Sequence, residues 1–190
     1  MQYIKEHTTT TLEVKQSKFI AHLIPYDTYE KTLRTLKEEH PKARHFVTAF
    51  RYLNEYDQVV EHSSDDGEPS GTSGKPSLMV LQGQECINIA VIIVRYFGGT
   101  KLGTGGLVRA YSDAVNLVVE ASEFFPYKKE LHKSIKLEYS NVRFIDYECD
   151  SFGVSIIKKE FDREVLYEIK ADEKSMELFL QKVQRVVQVV

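Results

Sequence analysis

NIAVIIVRYFGGTKLGTGGLVRAYS, residues 88–112, decides how this chain is read. Its first part is an unbroken apolar run, Ile89 to Val94, too short to cross a membrane and suited to a strand covered on both faces. A glycine-rich loop follows, and Gly105 or Gly106 opens an amphipathic stretch that predicts a helix to about Ser122. Strand, glycine loop and helix start together leave backbone N–H groups unpaired at the positive end of the helix dipole, a setting that favours an anion. Arg95, Lys101 and Arg109 add positive charge to a segment without Asp or Glu. Arg supplies a bidentate fork for phosphate and Lys a mobile point charge. The candidate anion-binding residues here are therefore Arg95, Gly98, Gly99, Lys101, Gly103, Gly105, Gly106 and Arg109. The spacing matches neither G-x-x-x-x-G-K-[ST] nor G-x-G-x-x-G, so no nucleotide-hydrolysis or dinucleotide motif supports the site.

Upstream lies a second glycine-bearing stretch, SSDDGEPSGTSGKP, residues 63–76. Asp65, Asp66 and Glu68, with His45 and His62 before them, offer hard oxygens and imidazoles, and Ser70 and Thr72 offer hydroxyls. Neither a calcium loop nor H-E-x-x-H is present, and G-x-S-x-G is absent, so no metal site is assigned and no serine nucleophile is supported. The residues leave two readings open. In one, the acids satisfy their own loop and pair with Arg95 and Arg109, and the glycines serve close packing. In the other, the basic loop faces an anionic partner. Tyr96, Phe97 and Tyr111 lie near the cations, either as core or as surfaces on which bases stack.

Working outward, alternation around Leu12, Val14, Phe19, Ala21 and Leu23 predicts two strands ending near Pro25. Asp27 and Glu30 form a capping-box pattern before a helix bearing Tyr29, Leu33 and Leu36, closed at Pro41. Residues 43–53 read as a strand, with His45, Val47, Ala49 and Arg51 on one face. Residues 54–76 show no periodicity and read as one long loop, and a short helix begins at Leu78. Residues 124–130 read as a linker. Beyond them come a strand at Ile135 and Leu137, a helix capped by Asn141 and ended by Gly153, a hairpin around Asp162 and Arg163, a helix stripe of Met176, Phe179, Leu180 and Val183, and a last strand. Strand-helix-strand-strand-helix-strand is the ferredoxin-like pattern. The expectation is an α+β chain of two domains, residues 1–126 and 131–190.

Composition bounds the function. The chain has 190 residues, 42% hydrophobic, with 25 Lys plus Arg against 28 Asp plus Glu and a net charge of −3. A globally basic nucleic-acid binder is excluded, and any such surface is local. Of ten glycines, nine fall between Gly67 and Gly106. Cys86 and Cys149 have no metal-finger spacing and read as buried thiols. No apolar core of signal-peptide length or membrane-spanning run occurs, so a soluble, cytoplasmic protein without a membrane partner is expected.

The motifs DDGEPSGTSGKP and RYFGGTKLGTGGLVRAYS, in that order and after Ala43-Arg44-His45, closely resemble the signature of the YigZ/IMPACT family over the first two thirds of the chain. The resemblance implies an N-terminal domain like the second domain of the ribosomal S-five protein and a ferredoxin-like C-terminal domain similar to the end of elongation factor G. It implies a translation-associated role, since eukaryotic members regulate translation initiation through a protein partner. An RNA or ribosomal component is then the implied ligand, with no cofactor. Carried over residue by residue, the shared surface is His45, Asp65, Asp66, Glu68, Ser70, Thr72, Arg95, Lys101 and Arg109. The segment after His45, Phe46-Val47-Thr48-Ala49, lacks the cysteine many members carry, which argues against cysteine chemistry there. The leading reading is a non-enzymatic binder of RNA or ribosome-associated partners through the basic glycine loop. One alternative is a phosphate-ester or nucleotide-handling enzyme, with His45, Asp65, Asp66 and Glu68 as its catalytic or metal-ligating candidates. The other is a protein-interaction module using the ferredoxin-like sheet.

Overall fold

The computed structural model describes residues 1–190. The chain divides into two compact units, Met1–Tyr127 and Lys128–Val190. With strands and helices numbered along the chain, the first unit contains β1 (Gln2–Tyr3), β2 (Thr8–Val14), β3 (Ser17–Pro25), α1 (Tyr29–Glu39), β4 (His45–Leu53), β5 (Val59–Ser64), α2 (Gly74–Gly83), β6 (Ile89–Tyr96), α3 (Gly103–Glu120) and β7 (Phe125–Pro126). The apolar run that begins residues 88–112 is the centre of a five-stranded sheet ordered β2-β3-β6-β4-β5, every neighbouring pair antiparallel.

Two buried faces explain why β6 is apolar at successive positions rather than alternate ones. Ile89, Val91 and Ile93 pack with Phe19, Leu23, Val47 and the inward stripe of α3, Tyr111, Ala114, Val115 and Val118. Ala90, Ile92 and Val94 turn the other way, against Ile24 of β3 and Leu36 of α1. Each large side chain so buried contributes about 1.5–3 kcal/mol, and β6 and α3 concentrate that contribution at the strand–loop–helix junction. The glycine loop therefore leaves the best-held strand of the sheet and enters its longest helix.

Several expectations are corrected. Residues 54–76 are not one loop, because β5 pairs with β4, setting His62 against Phe50 and Ser64 against Thr48. As an exposed edge strand it needs no apolar alternation, so the pattern carried no sign of it. Helix α2 starts at Gly74, not Leu78, and takes Pro76 within its first turn, where no N–H is required. The Asp27–Glu30 capping box does not form: a 3-10 turn at Tyr26–Thr28 leads into α1, with Thr28 at the N-cap and no side-chain cap. Part of the supposed linker is strand β7, paired with β1. Helix α3 begins two residues earlier than its glycine pair suggested.

The second unit contains β8 (Glu130–Leu137), α4 (Val142–Phe152), β9 (Ser155–Phe161), β10 (Val165–Asp172), α5 (Glu173–Val183) and β11 (Val187–Val189). Its antiparallel sheet, ordered β11-β8-β10-β9, is the ferredoxin-like arrangement. Gly153 ends α4 at φ 66°, the left-handed position that favours glycine. Asn141 stands at the N-cap of α4 without a capping side-chain bond, whereas Asp172 caps α5 by accepting from the Ser175 N–H at 3.2 Å. Ile135, Tyr167, Ile169 and Phe179 are the centre of this unit's own core. No helix of either unit is long and apolar enough to cross a membrane.

Candidate functional site

The acidic stretch is bonded to the protein's own donors, and of its acids only Glu68 is buried. Asp65, just beyond β5, accepts at Oδ1 from the Ser73 N–H (3.1 Å), the Ser73 hydroxyl (2.7 Å) and the Gly74 N–H (2.8 Å), and at Oδ2 from the Gly71 N–H (2.7 Å). It thus satisfies the start of α2 from outside the helix, as a cap does. Burial alone would raise the Asp65 carboxyl; the bonds from Ser73, Gly71 and Gly74 outweigh it and hold the group below its ordinary value. Gly74 is needed where the chain crosses itself, since a Cβ there would lie 2.7 Å from the Ser64 carbonyl carbon.

Asp66 accepts from the Phe46 N–H at Oδ2 (2.6 Å), and its carbonyl accepts from His45 Nδ1 (2.8 Å). That second bond leaves His45 Nε2 as the free ring nitrogen, 4.0 Å from Glu68 Oε1. Glu68 is buried and binds Arg95 Nη1, while the Tyr111 hydroxyl donates to the same oxygen at 2.9 Å. Burial, then the Glu68 charge, push the Tyr111 phenol far above its ordinary value, so it stays a donor. Thr72 donates to the Pro69 carbonyl at 2.7 Å, and Ser70 is exposed.

The basic stretch divides. Arg95 is only 5% exposed. Its guanidinium lies over the rings of Phe19 (5.3 Å) and Phe97 (5.9 Å), bound to Glu68, and its Nε has no partner. As placed, it is an internal counter-ion rather than a surface ligand. Gly98 is also structural in its placement: its N–H donates to Ser17 Oγ at 3.1 Å, and a Cβ would fall 2.0 Å from the Gln16 carbonyl carbon. Lys101, Gly103, Thr104, Gly105 and Arg109 are exposed. Gly99 and Gly103 take φ 85° and 74°, left-handed values that let the loop turn into α3. Helix α3 starts with no side-chain cap and no acid in its first turn, so no side chain satisfies its leading N–H groups. Neither Lys101 nor Arg109 makes an ion pair.

The pairing left open by the sequence is thus divided between Arg95, which meets Glu68, and Arg109 and Lys101, which meet no acid. Of the three nearby aromatics, Tyr111 is core, the Tyr96 hydroxyl is 2.8 Å from His40 Nδ1, and Phe97 is 46% exposed. The seat of Gly98 on the β2–β3 turn had no local signal, because its partners lie some eighty residues away. As for a metal, no three His, Cys, Asp or Glu side chains come together to hold one. The Asp65 and Glu68 oxygens that bear bonds are directed to N–H and O–H donors.

Residues 15–119 match the model of the Impact N-terminal domain. An IMPACT family member of Haemophilus influenzae is 36% identical over 171 residues, 88% of this chain and 82% of that protein. The IMPACT family member YigZ of Escherichia coli is 43% identical over 111 residues, 57% of this chain and 54% of its own. A solved structure described as that of a hypothetical protein is similar at a TM-score of 0.69 and 28% identity, over 100% of this chain and 95% of that one.

Proposed function

The chain belongs to the Impact N-terminal domain family, and on that footing we propose that it is a non-enzymatic, translation-associated protein of the cytoplasm that binds RNA phosphate through the glycine loop and the start of α3. The observation that carries this is the opposite fate of the two charged stretches. Asp65, Asp66 and Glu68 each accept bonds from the protein itself, whereas Lys101 stands exposed and unpaired just before the uncapped start of α3, and Arg109 exposed and unpaired in that helix's second turn. Low net charge then conceals a local cationic surface, because the neighbouring acids Asp65, Asp66 and Glu68 are bonded to the protein's own donors and not to Lys101 or Arg109. A phosphate diester suits such a surface better than a carboxylate does, since it presents two oxygens to N–H groups and cations at once. The translational setting comes from the family resemblance, and a ribosomal or other RNA partner is the ligand it implies.

Titrating single-stranded RNA binding against salt tests this reading. Each phosphate contact contributes a slope of about 0.7 in log K against log salt. Replacing Lys101 and Arg109 together by Ala is expected to weaken binding and flatten the slope by about 1.4. Unchanged affinity and slope in that double variant overturn the proposal.

A further inference from the structure

The packing of Gly98 on the β2–β3 turn brings to the loop a set of charges that lie far from it in sequence. Gln16 and Ser17, which touch Gly98, are flanked by Lys15 and Lys18, and Lys18 is in register with Tyr96 at the end of β6. On the other side of β6, the Arg44 N–H donates to the Arg95 carbonyl at 3.3 Å, so Arg44 stands at the same end of the sheet. Lys15, Lys18 and Arg44 are exposed, and none makes an ion pair. Glu13 is the one carboxylate in register with Lys18, and the two do not pair. Lys18 shares the α1 face of the sheet with its register partner Tyr96, and Phe97 follows Tyr96 at the end of β6, four residues before Lys101. Its ring lies against the buried Arg95 guanidinium, and 46% of its surface is open. An apolar ring held in place by a cation at its back, at a sheet end that also carries exposed, unpaired lysines, has the two elements of a single-strand surface: an electrostatic track for the backbone and an aromatic platform for a base.

The geometry points to an extended single-stranded RNA footprint round this end of the sheet, with phosphates passing from Lys18 and Lys15 over the β2–β3 turn to Lys101 and Arg109 and one base stacked on Phe97. The inference deepens the proposed function and rests on its reading of the glycine loop. Duplex RNA keeps its bases stacked on each other and has none to offer Phe97, so single strands are the class selected.

A fluorescently labelled mixed-sequence single-stranded RNA and the same sequence as a duplex are the probes. Lys15→Ala with Lys18→Ala is expected to lower the salt slope by about 1.4. Phe97→Ala is expected to weaken single-strand binding about tenfold with the slope unchanged, because stacking releases no counterions. Phe97→Tyr keeps a ring and should retain the affinity. Wild-type protein that binds no RNA overturns this inference together with the proposed function. Loss of slope in the Lys101/Arg109 variant, with the Lys15/Lys18 and Phe97 variants unchanged, overturns the footprint alone. A duplex bound as tightly as the single strand also overturns it.

Discussion

Arg95 and Lys101 stand six positions apart with the same formal charge, and the structure gives them unlike fates. Arg95 is on a strand buried on both faces, where its charge is tolerated only because Glu68 and the Tyr111 hydroxyl surround it. Lys101 lies in an exposed loop with water as its alternative partner. Arg95→Met leaves the Glu68 carboxylate buried without its cation and is expected to cost about 3–5 kcal/mol of stability. Tyr111→Phe removes a single donor and is expected to cost about 1 kcal/mol. Urea unfolding followed by circular dichroism measures both, and a wild-type midpoint in Arg95→Met refutes the assignment of Arg95 as an internal counter-ion. Nothing in the residue types distinguished Arg95 from Lys101 as a phosphate ligand. The strand assignment alone held the clue, since a cation at the end of an all-apolar run is a buried cation.

At the scale of the element, the glycines of the loop and helix start have different work. Gly98 has no room for a Cβ, with the Gln16 carbonyl carbon at 2.0 Å and the Ser17 nitrogen at 2.2 Å, and the obstacle is backbone that cannot swing aside. Gly105 lies within α3 with open space where its Cβ would go. Gly98→Ala is therefore expected to destabilise by about 3 kcal/mol or more. Gly105→Ala is expected to stabilise by about 0.5–1 kcal/mol, through helix propensity and a less flexible unfolded chain. Thermal unfolding of the two variants, compared with wild type, should show shifts of opposite sign. The strand, the loop and the helix of residues 88–112 were all legible, because apolar continuity, glycine and 3.6-residue periodicity are local signals. Strand β5 was not, because an edge strand is held by backbone bonds to β4 and carries polar side chains on both sides. The start of α2 was hidden for a related reason: its cap, Asp65, reaches it from nine residues upstream of Gly74 rather than from the adjoining position.

On the scale of the molecule, the two units have separate cores and separate sheets. Strands β1 and β7 pair the two ends of the first unit, and the Tyr127 N–H donates to the Met1 carbonyl at 3.0 Å, so that unit is closed by its own bonds. A fragment of residues 1–127 is expected to unfold in one cooperative transition and to bind single-stranded RNA with the full-length salt slope. A fragment of residues 128–190 should show no such slope. Loss of cooperativity in the first fragment, or transfer of the slope to the second, refutes this partition of folding and binding.

The sequence by itself determined the mixed two-unit architecture, the family, and the place where an anion would be sought. Those depend on periodicity, glycine and residue order, which act between near neighbours along the chain. Only the tertiary structure decided which charges are available. It put Glu68 and Arg95 together inside, turned Asp65 and Asp66 onto backbone N–H groups, and left Lys101 and Arg109 exposed without ion pairs. A side chain's charge is written in the sequence, but its partner is chosen by burial and by strand order, and both arise from contacts between residues far apart in the chain.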